Sequence, residues 1–530
     1  MDLSAEIMHS NKNIIIILID ALRYDRLFLG GYKYNLTPNL NKIIANSTFL
    51  KNHHANGCPT SVSFPSIFTS TYPLDFNGYD KGIKDRPKTF AEIFSENGYD
   101  TFGVTSAHPS GDHFYYNRGF RVYENLLDFY QWFRQNLKVF LREDLEKYKQ
   151  NKISKDEILK IISTTYVNVL ESTIVYIKQL IKLKVKVKNF DYKKNEKKIL
   201  MEINIAKNQP EIVLEKIIEF DYLYYLFFGE IKISKFKKIY LNIRENLRTK
   251  INNVVNVFPR RKIYEANEIF QRFKNYFLSN KEKKFLAFIH LFDVHESKNI
   301  TFKLSFSYLI NLIKLLIIRK FKFGGLVYDL SVMQVDKEIG LFFNYLKKEK
   351  IIENTNLIIT SDHGLKAGFP KRPETKIRSD LSQKFYDEFL RVPLILYPAL
   401  KKDISLNRLS SHIDFTPTIL SLCNIKKPID LVGQSIIDIN YSSDFILAEN
   451  TGSGVCDVKK KNIYLCFKSY NLKITYEIIN FTIKEREVFD IKNDPNEFNN
   501  IVETKLFKND REKFYIQAQK RLNKILEYVQ

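Results

Sequence analysis

Apolar and polar positions follow two rhythms along this chain. "NIIIILID" (13–20) is a continuous apolar run of strand length that stops at an aspartate. "TPNLNKIIANS" and "TFAEIFSENG" then place apolar residues at helical spacing, and "YDTFGVTS" returns to a buried strand. Strands separated by helical segments predict βαβ units and a parallel sheet covered on both faces. The same order recurs as "YDLSVMQVDKEIGLFFNYLKKEKII" (helix), "NTNLIITSDHG" (strand and polar turn), "RVPLILYPAL" (strand) and "DFTPTILSLCNI" (helix). The intervening region is Gly-poor and rich in Lys, Ile, Leu, Tyr and Glu at helical periodicity, which predicts a helical insertion or cap. After Asp444, "NIYLCFKSYNLKITYEIINFTIKEREVFDI" alternates like hairpin strands, and "REKFYIQAQKRLNKILEYV" closes the chain as a helix.

The expected fold class is α/β, with a mainly parallel central sheet flanked by helices. The core is expected at 1–125 and 281–443, the helical insertion at 126–280 and a small antiparallel C-terminal subdomain at 444–530. One further apolar stretch, "FKLSFSYLINLIKLLIIRKFKFGG" (Phe302–Gly325), is interrupted by Lys314 and too short to span a bilayer. Its aromatics, Ile and Leu with flanking Lys and Arg could lie on a membrane surface. A buried core or cap helix is the favoured expectation.

Composition narrows the class of function only partly. The 530 residues are 44% hydrophobic and 27% charged, the profile of a folded protein. The formal net charge of +23 attracts anions without choosing among nucleic acid, anionic lipid and a phosphorylated or sulfated substrate. Lys-rich runs such as "KLKVKVKNFDYKKNEKK" lack the Gly of a single-strand binding surface and match no nucleic-acid motif, so nucleic acid is not expected as a partner. The first residues show no basic region followed by an apolar core and a small-residue cleavage site. The cysteines Cys58, Cys423, Cys456 and Cys466 have no zinc-site spacing and fit a reducing compartment. Together these predict a cytoplasmic protein, with peripheral membrane contact as an option.

Chemistry-bearing residues gather at predicted strand ends. An Asp where a buried parallel strand stops lies in the crevice where α/β enzymes bind ligands, so Asp20 is a candidate metal ligand or acid/base as well as a candidate helix cap. Asp362 and His363 end a second strand and offer a carboxylate and an imidazole, a donor pair suited to Zn or Mn. "FIHLFDVHES" ends a third with His290, Asp293 and His295, candidates for ligand or phosphate binding, although His290 between Ile and Leu could be a core histidine.

The ordered set "NIIIILIDALRYDRL", "PTSVSFPSIFTSTYP", "NTNLIITSDHG", "YDEFLRVPLI", "HIDFTPTIL" and "EVFDIKNDPNEFNNI" resembles the sulfatase branch of the alkaline phosphatase superfamily over most of the chain except the helical insertion. That resemblance implies a nucleophile nine residues before the Thr of a "TGRYP"-like segment, here "TSTYP", which lands on Thr60. Sulfatases carry Cys or Ser there in a C/S-x-P-x-R motif, converted to formylglycine; here Val62 and Phe64 replace the Pro and Arg, and Cys58 lies two residues early. The resemblance further implies that Asp20, Asp362 and His363 bind a divalent ion that also holds Thr60. Ala21 replaces a second family Asp, which favours Zn or Mn over Ca or Mg. His295 corresponds to the His of a "D-P-H" segment facing the transferring group, and Lys384 to a substrate-binding lysine.

These features lead to the expectation of a metal-dependent hydrolase or transferase acting on phosphoric (di)esters through a covalent Thr60 intermediate, with His295 as acid, on an anionic glycan- or lipid-linked substrate. Sulfuric-ester hydrolysis is the alternative, and a non-catalytic protein binding an anionic glycan or lipid is a third.

Overall fold

In a computed structural model of the chain, the structure describes residues 12–126, 136, 141, 144–145, 147–182, 192–220, 264–295, 297, 306–318, 325–367, 385–400, 405–452, 456, 458–459 and 462–528. Eight strands form the main sheet: β1 (Asn13–Ile19), β2 (Thr48–His54), β3 (Asp100–Thr105), β4 (Val122–Asn125), β5 (Phe285–Leu291), β6 (Thr355–Thr360), β7 (Arg391–Tyr397) and β8 (Ser410–Ser411). Their order is β4-β3-β5-β1-β6-β7-β2-β8. The β6–β7 and β2–β7 pairs are antiparallel and the rest parallel, giving the mainly parallel α/β sheet that the sequence predicts.

Burial on both faces explains the isoleucine run. Ile14 to Ile19 are all fully buried, so β1 needs cover above and below, and β-branched side chains pack well on a pleated surface. Alternation along β5 shows the two covers. Phe288 and His290 face the helix α1 (Thr60–Thr69), where Phe64 and Phe68 meet Phe288 at ring centroids of 6.4 and 5.1 Å. Phe285 points the other way, 5.8 Å from Phe273 on helix α2 (Ala266–Leu278). Helix α2 falls within the 126–280 segment expected to be inserted, yet it packs on β3 and β5. Helical periodicity identifies an amphipathic face without saying which sheet it covers.

The chain divides into a larger unit, residues 1–125 with 264–530, and a smaller one, residues 126–263. Within the smaller unit the described segments are helical, among them Val167–Lys182, Tyr192–Asn208 and Pro210–Phe220, and Tyr166 donates to buried Glu202 at 3.1 Å. By length and composition the run Lys155–Lys178 matches a membrane span, a test that core helices of soluble proteins also pass.

Strands β9 (Ile446–Asn450), β10 (Ile463–Lys468), β11 (Leu472–Ile479) and β12 (Thr482–Asp490) form a separate antiparallel sheet in the order β12-β11-β10-β9. Helix α5 (Lys508–Glu527) packs on it through Phe514, Ala518, Leu522 and Ile525; helices α3 and α4 are Phe306–Ile318 and Leu326–Lys348. All four cysteines are buried free thiols.

Arg521 on α5 ties this sheet to the loop after α1. It donates to Glu449 on β9 at 2.7 and 2.8 Å and to Asp75 at 2.7 Å, with all three side chains buried. Arg521→Ala leaves two buried carboxylates without their hydrogen-bonded cation, so it should lower unfolding free energy by about 3–5 kcal/mol. Urea unfolding of the full chain measures this, and a loss under about 1 kcal/mol would show that the cluster does not hold the sheets together.

Candidate metal and nucleophile site

Three adjacent parallel strands deliver the site. β1 lies between β5 and β6, with Leu18 opposite both His290 and Thr360, so the residues just beyond their carboxyl ends converge. Asp20 N–H donates to the Leu291 carbonyl at 2.8 Å, which carries β1 one step past its last residue. The backbone then turns sharply at Ala21, a left-handed residue with φ 62°, and Ala21 N–H donates to Asp362 Oδ1 at 3.0 Å. The position where the family pattern has a second Asp thus supplies a backbone donor instead of an oxygen ligand.

Asp20, Asp362 and His363 are buried, with ligand atoms all within 4.8 Å of one another. Asp20 Oδ1 and Asp362 Oδ2 accept no hydrogen bond. Burial pushes the Asp20 carboxyl up, but His295, His290 and His363 outweigh it and hold the group at about 2. Burial and the Asp20 charge push Asp362 up. Burial disfavours the His363 cation, but Asp362, Cys58 and Asp20 together raise the ring well above its ordinary range. Two buried carboxylates with orphan oxygens call for positive charge. The set fits a divalent ion: His363 Nδ1 lies 2.6 Å from the Gly364 carbonyl, an acceptor that holds a proton on Nδ1, so an ion would displace only the Nε2 proton and take that nitrogen as its ligand.

Thr60 opens α1 and reaches the same point. Its Oγ1 lies 3.1 Å from Asp20 Oδ2 and 3.1 Å from His363 Nε2. Pro59, not Thr60, is the helix cap, so the hydroxyl is free of capping duty and directed at the carboxylate and imidazole. The helix start also places its positive dipole end beside this hydroxyl.

The other candidates fall into place unevenly. His290 lies behind Asp20, with Nε2 3.4 Å from Asp20 Oδ2 and Nδ1 held by Thr105 Oγ1 at 3.0 Å and Ser110 Oγ at 3.1 Å. It is fully buried against the Phe64 ring at 5.1 Å, with Asp20 as its charged neighbour. Phe64, in place of the motif's Arg, is itself fully buried among Phe68, Tyr116 and Phe288. His295 lies at the edge, its ring 6.2 Å from that of His363 and stacked on Phe292 at 4.7 Å. Lys384 lies outside the described residues.

Several supporting residues are not singled out from the sequence, although all but Tyr328 lie within the quoted family motifs. Ser361 Oγ accepts from Leu22 N–H and donates to the His363 carbonyl, while His412 Nε2 meets the Ser361 carbonyl at 3.0 Å. Tyr328 on α4 donates to the Ala21 carbonyl at 2.7 Å and accepts from Arg23 N–H at 3.0 Å. Arg23 and Arg26 donate to the Leu365 and Ala367 carbonyls, fixing the loop after His363. Cys58, two residues before Thr60, is a buried free thiol.

A family profile described as Sulfatase matches residues 12–173 and 228–425, more than half of the chain. The chain belongs to the sulfatase family. A second profile, described as the C-terminal region of N-sulphoglucosamine sulphohydrolase, matches residues 382–526. N-acetylglucosamine-6-O-sulfatase of Bacteroides thetaiotaomicron is 30% identical over 221 residues, covering 38% of this chain and 35% of that protein. Arylsulfatase K of Rattus norvegicus is 26% identical over 187 residues, 33% of this chain and 31% of its own. The matches thus span about a third of these family members. Among solved structures, the phosphonate monoester hydrolase of Agrobacterium radiobacter aligns with a TM-score of 0.55 at 14% identity, covering 98% of this chain and 96% of that one. The 2-O GAG sulfatase BT1596 aligns with a TM-score of 0.52 at 12% identity, covering 97% and 92%. Both likenesses concern the fold.

Calorimetric titration of metal-stripped protein with a divalent metal ion should show binding that Asp20→Ala abolishes. His290→Ala should weaken it about 10- to 100-fold, as removal of a ligand's hydrogen-bonding partner does elsewhere. Unchanged affinity in a His290→Ala protein that melts as a folded chain would remove His290 from the site.

Proposed function

We propose that this protein cleaves an ester of a tetrahedral oxyacid by transferring the acid group to Thr60 and then to water. The observation that carries the reading is the Thr60 hydroxyl poised between Asp20 Oδ2 and His363 Nε2. Asp20, Asp362 and His363 would hold a divalent ion, for which the mixed oxygen and nitrogen donors favour Zn or Mn. Such an ion supplies positive charge that makes an adjacent alkoxide accessible and offsets charge on the group in flight.

Thr60 Oγ1 attacks sulfur or phosphorus in line, its proton already directed at the Asp20 carboxylate, and the ester's bridging oxygen leaves. His295 at the edge donates a proton to that oxygen, so the alcohol departs neutral. Water then attacks the acid group on Thr60 while His295 takes up its proton, and the Thr60 oxygen leaves and regains the proton it had passed to Asp20, so the free acid departs with both groups restored.

Sulfuric ester on an anionic sugar is the first substrate reading. It draws on the sulfatase family and on relatives whose names include N-acetylglucosamine-6-O-sulfatase and an ulvan-active sulfatase. A phosphoric (di)ester is the second reading, and Thr60 itself favours it. Threonine has one oxygen on Cβ, so a sulfated Thr60 cannot expel sulfate by carbonyl formation as a formylglycine diol can. Release has to come through attack at the oxyacid centre, a route well established for phosphoryl groups. If the acceptor is a sugar or lipid hydroxyl in place of water, the same site works as a transferase.

Paired assays with an aryl sulfate and an aryl phosphate diester, each with Zn or Mn, discriminate these readings. The preferred ester should turn over at least about tenfold faster, a difference of about 1.4 kcal/mol in transition-state stabilisation. Thr60→Ala should lower that rate by about 10⁴-fold or more, while Thr60→Ser keeps a measurable fraction. Turnover of both esters unaffected by Thr60→Ala would dismiss the nucleophile.

A further inference from the structure

Helix α3 presents an apolar face outward. Its inward side carries Leu315, buried at 2% exposure, and α3 packs on α4. At about 100° per residue, Ile310, Ile313, Lys314, Ile317 and Ile318 fall on one arc. Ile313, Ile317 and Ile318 are 47%, 63% and 54% exposed, and Ile310 is half-buried. A surface helix of a globular core normally turns polar side chains to water, so an outward arc of isoleucines with one lysine needs a cover of its own.

Charge indicates which cover. Between Glu296 and Asp329 the sequence has no acidic residue and six basic ones: Lys298, Lys303, Lys314, Arg319, Lys320 and Lys322. Only Lys314 among these belongs to the described residues, where it is exposed in the middle of the apolar arc. A lysine there can lay its methylenes along the apolar surface and lift its ammonium into a headgroup layer, whereas a protein partner with an apolar groove would have to bury it. Apolar residues backed by a local excess of lysine and arginine are the makeup of a helix lying in an anionic lipid interface.

We propose that α3 docks the protein on an anionic membrane surface, with Ile313, Ile317 and Ile318 entering the acyl boundary and Lys314 meeting lipid phosphate. This takes the membrane-surface option for the Phe302–Gly325 stretch in preference to the buried cap, and it is independent of the reaction at Thr60. The α3 segment follows β5 in the chain, so docking would hold the catalytic unit itself at the lipid surface.

Sedimentation of the full chain with phosphatidylcholine vesicles, with and without phosphatidylglycerol, tests the proposal by lipid binding alone. The protein should co-sediment with the anionic vesicles, weakly with the neutral ones, and less as salt rises. The triple variant Ile313→Ser, Ile317→Ser, Ile318→Ser should lose at least about tenfold in partition coefficient. Lys314→Glu, which leaves the isoleucines in place, should also weaken binding. All these side chains are exposed, so the wild-type thermal melt should persist. Co-sedimentation of the folded triple variant at the wild-type level overturns the proposal. So does equal binding to neutral vesicles, or a wild-type dimer that the triple variant turns into a monomer, since a second copy would then be the cover.

Discussion

The site depends on two carboxylates that the sheet forces together. Asp20 and Asp362 follow neighbouring strands, β1 and β6, and both side chains are fully buried. Like charges in a low-dielectric interior repel strongly, and moving either one would break the register of the central strand. The surrounding groups act as partial remedies: Ala21 N–H for Asp362, the Thr60 hydroxyl and His290 for Asp20, and His363 between the two acids. A divalent cation would meet the same need more completely, so the geometry that destabilises the ion-free pair would also favour an ion there.

Much of this was open to sequence reasoning, for identifiable reasons. The isoleucine run before Asp20 and the apolar run before Asp362 are long enough to specify buried strands, and a strand end in such a sheet is a known address. Thr60 needed the spacing of the family pattern, because its hydroxyl-rich neighbourhood offers several equivalent side chains. His290 shows the limit: period-two alternation gives the face it shares with Phe288, but not that the ring backs a ligand. Ser361 and His412 lie in motifs of the family pattern, but their contacts with Leu22 and with each other, like those of Tyr328 with Ala21 and Arg23, join distant parts of the chain that no local pattern pairs. Helices α2 and α3 carry clear helical periodicity, yet one covers the sheet and the other turns isoleucines to solvent. Periodicity reports the existence of an apolar face and not its neighbour.

Phe64 bears on the chemistry as much as the residues that bear charge. An arginine there would bring fixed positive charge into the space between α1 and β5. The phenylalanine closes that space with a ring packed on His290. In the proposed reaction, positive charge for an incoming anion would then have to come from the metal position and from His295.

The larger unit also keeps its continuity where the chain leaves it. β4 ends at Asn125 and α2 begins at Ala266, and Arg272 on α2 lies 3.6 Å from Glu124 on β4. The departure and return points of the 126–263 segment are therefore pinned close together by the sheet itself. Closing a loop between fixed neighbouring ends has a cost that grows only logarithmically with its length. Lengthening, shortening or exchanging that segment is consequently a low-cost route for evolutionary change, open to selection without disturbing the strands that hold the acids in place.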